Sequence, residues 1–409
     1  MIQIITSPLS TIIVFSVYLS FLWINGINIA IPFFAVFVAI GLYAKNFVKQ
    51  EIWIWNVAIS FLFVTFVARP EFARVSSAIY SCIFFIIAIS FTRGLYNNKF
   101  TLESYIKVCR ILVIAYFIVL VIQQMCVLAG LPIFNLMIDY SGVEGSRWKL
   151  SSLSDEPSHA ARIVALLVFS YIGARRILQG KSYSFTKEWK SSKSEKLFWI
   201  AFFWTMITMQ SSTALLFVVI IISRFFVSGK VRITTIIVGL ISVMVLVFAF
   251  SDNKLMKRNV DILISTLTLD EVAIEAADNS GAHRIVPNII LAKRVEILSE
   301  NGLFGFGMDT SKDVVYKNFP GWMDENAAGG GGVFQIWYDF GFIVFFFYIL
   351  GTLKFCTSPK DKMSYIFWFL LVFVNSLNTQ ITWLAIMLLA TNKYIIDNYR
   401  KKTMRYETI

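Results

Sequence analysis

At 409 residues, 57% hydrophobic and only 15% charged, with mean hydropathy +0.69, the chain lacks the ~25% charge of soluble domains. That excludes a set of ordinary globular domains. The net charge of +12 does not point to nucleic acid, because the basic residues lie in short stretches between apolar runs, the positive-inside pattern of membrane proteins.

Those runs approach the ~20 residues needed to cross a bilayer. Taken in chain order they predict spans at about 8–25, 27–44, 52–68, 75–92, 108–130, 159–175, 196–210, 211–227, 233–250, 333–353, 363–377 and 380–393. The expected fold is all-α: a polytopic integral membrane protein of about twelve transmembrane helices with a large helical periplasmic loop. The tight pair at 196–227 leaves eleven as an alternative. Residues 1–7 carry no Lys or Arg and no A-x-A site follows, so the first run is expected to stay as a span, not to act as a cleaved signal. With the N-terminus in the cytoplasm, the inner stretches collect most of the 37 Lys and Arg, which favours cytoplasmic N- and C-termini.

Three regions follow: 1–250, holding the first nine spans and an outer loop at 131–158; 251–332, the large outer loop; and 333–409, with the last three spans and a basic tail. Apolar periodicity at 255–277 and 285–299 predicts helices lying on or against the membrane domain. Cys82, Cys109, Cys126 and Cys356 have no CxxC spacing. They read as small packing residues, and neither disulfide nor zinc is expected.

Four segments carry chemistry-bearing residues. In 144–164, EGSRWKLSSLSDEPSHAARIV, Arg147, Lys149, Asp155, Glu156 and Arg162 gather at a predicted membrane face. Pro157 opens a helix with Asp155 or Glu156 at its cap, so capping explains the acids as well as function does. In 208–215, TMQSSTAL, Gln210, Ser211 and Ser212 form either a tight hairpin turn or the lining of a polar cavity. In 279–309, Arg284 opens an amphipathic stretch with Lys293 and Arg294 near its middle. Gly302, Gly305 and Gly307 then predict a tight turn approaching another element. In 321–332, GWMDENAAGGGG, Asp324 and Glu325 are candidate bases, and a plain flexible linker is the alternative.

Taken together, the chain resembles the repeat-unit polymerases of bacterial surface polysaccharides (the O-antigen and exopolysaccharide, Wzy-type, family, related to the O-antigen ligases). The matching features are Arg147 followed by Glu156-Pro157, the patch Gln210-Ser211-Ser212-Thr213, and Arg284 leading to Asn301-Gly302-Leu303-Phe304-Gly305-Phe306-Gly307. The family's Arg-x10-Gly spacing fits Arg294 to Gly305 and also Arg162 to Gly173. Where ligases and many polymerases carry His-Asn, this chain has Glu325-Asn326. The resemblance implies a glycosyltransferase of the inner membrane. It would pass a growing glycan from polyprenyl pyrophosphate to a lipid-linked repeat unit, with Arg147, Arg284 and Arg294 on pyrophosphate. Glu325, or else Glu156, would serve as base, and Ser211, Ser212 and Asn326 would contact substrate. No cofactor and no metal is implied. The implied partners are the polyprenyl-pyrophosphate-linked oligosaccharide, the lipid bilayer and a regulator of chain length. A ligase and a flippase of the lipid-linked oligosaccharide are the rival expectations.

Overall fold

The computed structural model describes residues 7–17, 23–24, 27–28, 30–42, 46–97, 100–133, 150–180, 183–209, 211–226, 261, 264–277, 279–319 and 331–406. It is helical apart from one small hairpin. Helix α1 (Pro8–Ser16) starts where the Ser7 side chain accepts from the Leu9 N–H and proline occupies the first turn, the position where its missing N–H costs nothing. β1 (Trp23–Ile24) and β2 (Ile27–Asn28) pair antiparallel. They are joined by Asn25-Gly26, a residue pair that favours two-residue hairpin loops. The apolar run predicted as one span over 8–25 is therefore a short helix followed by a strand, and α2 (Ala30–Leu42) begins three residues later than expected.

The rod α3 (Lys49–Ala68) follows. It widens to a π-turn at Val64–Ala68 and stops at Arg69, before Pro70, since the residue preceding proline is pushed out of helical geometry. Then come α4 (Val75–Tyr96) and α5 (Leu102–Leu128), the latter capped by Thr101. α6 (Pro157–Gln179) opens on its proline and ends at Gly180, φ +61°. α7 (Phe185–Ser191) and α8 (Lys193–Thr208) are capped by Ser184 and Ser192, and α9 (Ser212–Phe226) follows after a short break. The predicted span at 233–250 lies outside the described residues.

In the large loop stand α10 (Glu271–Ala277), α11 (Asn279–Ala292), α12 (Glu300–Phe304) and α13 (Thr310–Asn318). Arg284 sits within α11 rather than opening it; its side chain is outside what is described. Lys293 and Arg294 follow the helix instead of lying mid-helix, because the helix stops at Ala292. The chain then enters α14 (Gly332–Cys356), α15 (Met363–Phe373) and α16 (Gln380–Tyr406).

Four helices among the described residues, α3, α4, α5 and α14, are long and apolar enough to cross a membrane. The centre is α6, where every residue from Ile163 to Ile172 is fully buried. It packs against α5, α9 and α16. A helix enclosed by protein on all sides needs no lipid-facing stripe, which lets it carry Arg162, Arg175 and Arg176 at its ends.

Contacts sort the helix ends into two sets. At the basic end, the start of α3 meets the end of α4 through Glu51 and Arg93 (2.7 and 3.0 Å). The start of α5 meets α8 through Arg110–Glu195 at 3.2 Å, and the end of α6 meets α7 and α8 through Arg175. The end of α9 meets the segment before α15 through Arg224–Asp361 at 2.8 Å. The opposite ends carry the loop helices and the polar seam described next.

Candidate functional site

The site is built at the loop end, where four elements supply polar side chains. The first is the segment before α6. Leu150, Ser151, Ser152 and Ser154 are fully buried, so this stretch folds inward against α5. Ser152 has φ +55°, a left-handed conformation costly for a non-glycine residue. Gln123 of α5 holds it from both sides, with its Oε1 accepting the Ser152 N–H at 2.9 Å and its Nε2 donating to the Ser152 carbonyl at 3.1 Å. The Ser152 hydroxyl donates to the Tyr116 carbonyl and the Tyr116 hydroxyl donates to the Ser16 carbonyl, at 2.5 and 2.6 Å. Buried backbone groups need partners, and Gln123 supplies two of them.

The second element is the start of α6. Glu156 occupies the N-cap without capping the backbone through its side chain. Its Oε2 accepts instead from the Ser158 hydroxyl at 2.9 Å, and it is exposed. Asp155 faces His159, Oδ1 to Nδ1 2.6 Å. One turn on, Arg162 donates to Asn375 Oδ1 at 2.9 Å.

Asn375 belongs to the third element, the break between α15 and α16. The break follows a π-turn at Phe369–Phe373, and the Asn375 amide donates to the Leu370 and Leu371 carbonyls. Three residues on, Asn378 accepts from the Ser81 hydroxyl of α4 at 2.8 Å. Gln380 donates to the open carbonyls of Phe15 and Val17 at the end of α1.

The fourth element is the glycine turn of the large loop. Phe306 N–H donates to the Tyr338 carbonyl (2.8 Å) and Gly307 N–H to that of Asp339 (3.2 Å). Gly305 (φ +84°) faces Asp339 O, where a Cβ would lie 2.3 Å away. Gly341 (φ +78°) breaks α14 opposite it and faces Leu303 O. The glycines thus permit two backbones to touch, as the sequence predicted for this turn. Asp339 is buried and accepts from the Ser311 N–H and hydroxyl, both at 2.8 Å, fixing the start of α13. Asp309 joins the turn to α4, accepting from Ser77 at 2.8 Å and pairing with Arg74.

These residues line one seam in two runs of contacts, Arg162–Asn375 and Asn378–Ser81–Ser77–Asp309–Arg74, joined through the backbone of residues 375–378. The described ends of two of the four segments singled out in the sequence, 144–164 and 321–332, reach it. Ser151–Pro157 leads into α6, and Gly332 packs against the Val374 carbonyl, one residue before Asn375. Arg147, Glu325, Asn326 and Gln210 lie outside the described residues. Ser211 and Ser212 are half-buried at the start of α9, joined through α8 to the same end by the Thr208–Gln124 contact of 2.8 Å. Arg294 stands apart. It is exposed and donates to Asn318 Oδ1 at 2.7 Å within the loop.

The sequence places Arg162 at a predicted membrane face without indicating its partner, and assigns no role to Asp339, Asn375, Asn378 or Asp309. The polar run Asn375-Ser376-Leu377-Asn378-Thr379-Gln380, interrupting two apolar stretches, was the available signal. Among the described residues no group of three or more His, Cys, Asp or Glu is placed to hold a metal ion. The chain matches no family model, no curated protein and no solved structure.

Proposed function

We propose that the chain is a polytopic inner-membrane glycosyltransferase of the repeat-unit polymerase kind, with about twelve spans and cytoplasmic termini, working at the periplasmic face. The observation that carries this reading is an arginine-containing polar seam, at the end of the bundle opposite the basic end, on which the stretch before α6 and the glycine pair Gly331-Gly332 at the start of α14 both close. Positive-inside charge puts the basic end in the cytoplasm, so the seam faces outward, where lipid-linked glycans would be joined.

The chemistry required is modest. The bond between the growing glycan's anomeric carbon and its polyprenyl pyrophosphate breaks. A hydroxyl of the lipid-linked repeat unit bonds to that carbon and gives its proton to a base. Pyrophosphate departs with the electron pair and needs cations, and a guanidinium meets it with two parallel donors. Arg162 joins Arg147 and Arg284 as candidates for that role, because it reaches the seam from α6. Arg294, paired with Asn318 away from the seam, is the weakest of the original three. Glu325, seven residues before Gly332, which meets the Val374 carbonyl, is the first candidate base, and exposed Glu156 is the second.

The test is the size ladder of surface and lipid-linked glycan after deletion of the gene and complementation. Glycan stalled at one repeat unit supports polymerase. Full-length polymer left on its carrier supports a ligase instead. Single units trapped at the cytoplasmic face support a flippase, and an unchanged ladder overturns all three.

A further inference from the structure

The tip between α11 and α12 exposes apolar side chains that nothing in the seam uses. Leu298 is 96% exposed and Ile297 50% exposed. Large apolar groups left fully bare mark contact surfaces. Three observations place this tip at the level of a bilayer surface. First, Ser299-Glu300-Asn301 follows it directly, and Arg69, at the stop of α3, bonds Asn301 and pairs with Glu300 at 3.5 Å. The turn of α3 just before Arg69 carries Val67, 66% exposed, and Phe66, on a helix apolar enough to span. Second, Trp337 of α14 donates its indole N–H to the Gly302 carbonyl at 3.1 Å and packs on Phe345, whose neighbour Phe346 is exposed. A half-buried tryptophan near the end of an apolar helix is the usual marker of the headgroup level. Third, the tip is flanked by exposed Lys293, Arg294, Glu296 and Glu300, side chains that can keep their charged ends in water while their stems cover apolar surface. The Lys293–Glu271 pair (2.8 Å) adds Val272, 77% exposed, to the same neighbourhood.

We infer that Ile297 and Leu298 form a wedge that enters the outer leaflet of the bilayer, resting the large loop on lipid beside α3 and α14. The occupant is acyl chain and headgroup, because the wedge continues the apolar faces of α3 and α14 and stands level with their charged and indole margins. It rests on the membrane reading and is independent of the glycan chemistry. A wedge of this kind enters to about 5–10 Å. It adds a lipid contact to the protein contacts that already hold the Gly302–Gly307 turn against α14.

The experiment uses the full chain in lipid nanodiscs. Single nitroxide labels are placed by Leu298→Cys, Val67→Cys and Lys317→Cys after Cys82, Cys109, Cys126 and Cys356 are changed to alanine. Collision with oxygen and with a water-soluble nickel chelate is then compared. Labels at 298 and 67 should favour oxygen, and the label at 317 the chelate. A label at 298 that behaves like 317 overturns the wedge while leaving the membrane reading intact. Failure at 67 overturns the membrane reading itself. Benzoylphenylalanine installed at 298 with the native cysteines retained gives a second measure. Photo-adducts to phospholipid are expected, and adducts to protein alone overturn the proposal.

Discussion

Replacing Gly305 by alanine isolates what the glycine turn contributes. Gly305 has φ +84° and ψ 167°, a region of backbone space reserved almost wholly for glycine, where another residue costs about 1–3 kcal/mol. The added Cβ would also stand 2.3 Å from the Asp339 carbonyl oxygen and 2.7 Å from Phe340 Cα. Both are backbone atoms that cannot swing aside. Relief requires lifting the turn from α14, which breaks the Phe306–Tyr338 and Gly307–Asp339 bonds at about 1 kcal/mol each. The sum is about 3–5 kcal/mol, concentrated in the loop. Hydrogen exchange on the full chain in nanodiscs should show peptides over 300–311 and 335–341 losing protection by a hundredfold or more, while α6 stays protected. Gly130→Ala is the control: its φ is +67°, yet a Cβ there meets nothing within 4 Å. That variant carries backbone strain without collision and should change exchange only at its own turn. Native protection of 300–311 in Gly305→Ala would refute the docking argument. Equal effects in both variants would show that strain, and not contact, governs the turn.

Arg162→Ala should abolish polymer at unchanged protein level, and Arg162→Lys should restore little, because a lysine cannot reproduce the two-pronged donor; wild-type ladders in both would remove Arg162 from the site. Arg147→Ala and Arg284→Ala are expected to behave alike, and Glu325→Gln should stop chain growth while binding of lipid-linked substrate persists; normal polymer from Glu325→Gln would show the carboxylate is not needed. Gln123→Leu strips partners from the buried Ser152 N–H and carbonyl, about 1–3 kcal/mol for each orphaned group, so the melting temperature in detergent should fall, with Gln123→Glu intermediate because it still accepts. Arg93→Ala leaves the fully buried Glu51 carboxylate without its ion partner, costing about 3–5 kcal/mol. Pairing it with Glu51→Gln should recover part of the lost thermal stability, and no recovery would show the loss comes from packing.

The helices were legible because long apolar runs and their caps are local. Pro157 marks a start that the structure reproduces, whereas α5 begins at Leu102, ahead of the expected 108, because its first turns are polar. The 8–25 run misled because hydropathy alone does not separate helix from strand, and Asn25-Gly26 was the overlooked punctuation. At the site, the glycine turn was readable since Gly302, Gly305 and Gly307 announce close backbone approach by themselves. The seam was not. Arg162 on α6 and Asn375 in the break between α15 and α16 are far apart in sequence, and nothing near either residue indicates its partner. Gln123 is similar: a glutamine near the end of an apolar helix has no local reason to be there, and its reason is the backbone of Ser152 folded against it.

The sheathing of α6 bears on how such a molecule comes to be assembled. A segment with arginines at both ends and no lipid-facing side cannot wait comfortably in the bilayer for its neighbours. α5 is made just before it, but α16, which closes another side, is made far downstream. Until α16 arrives, the polar groups of α6 such as Ser170, later satisfied by Asn392, stand open. The centre of the molecule is therefore a late-closing joint. Chains interrupted before Gln380 should be disposed of by quality control well before any question of activity arises.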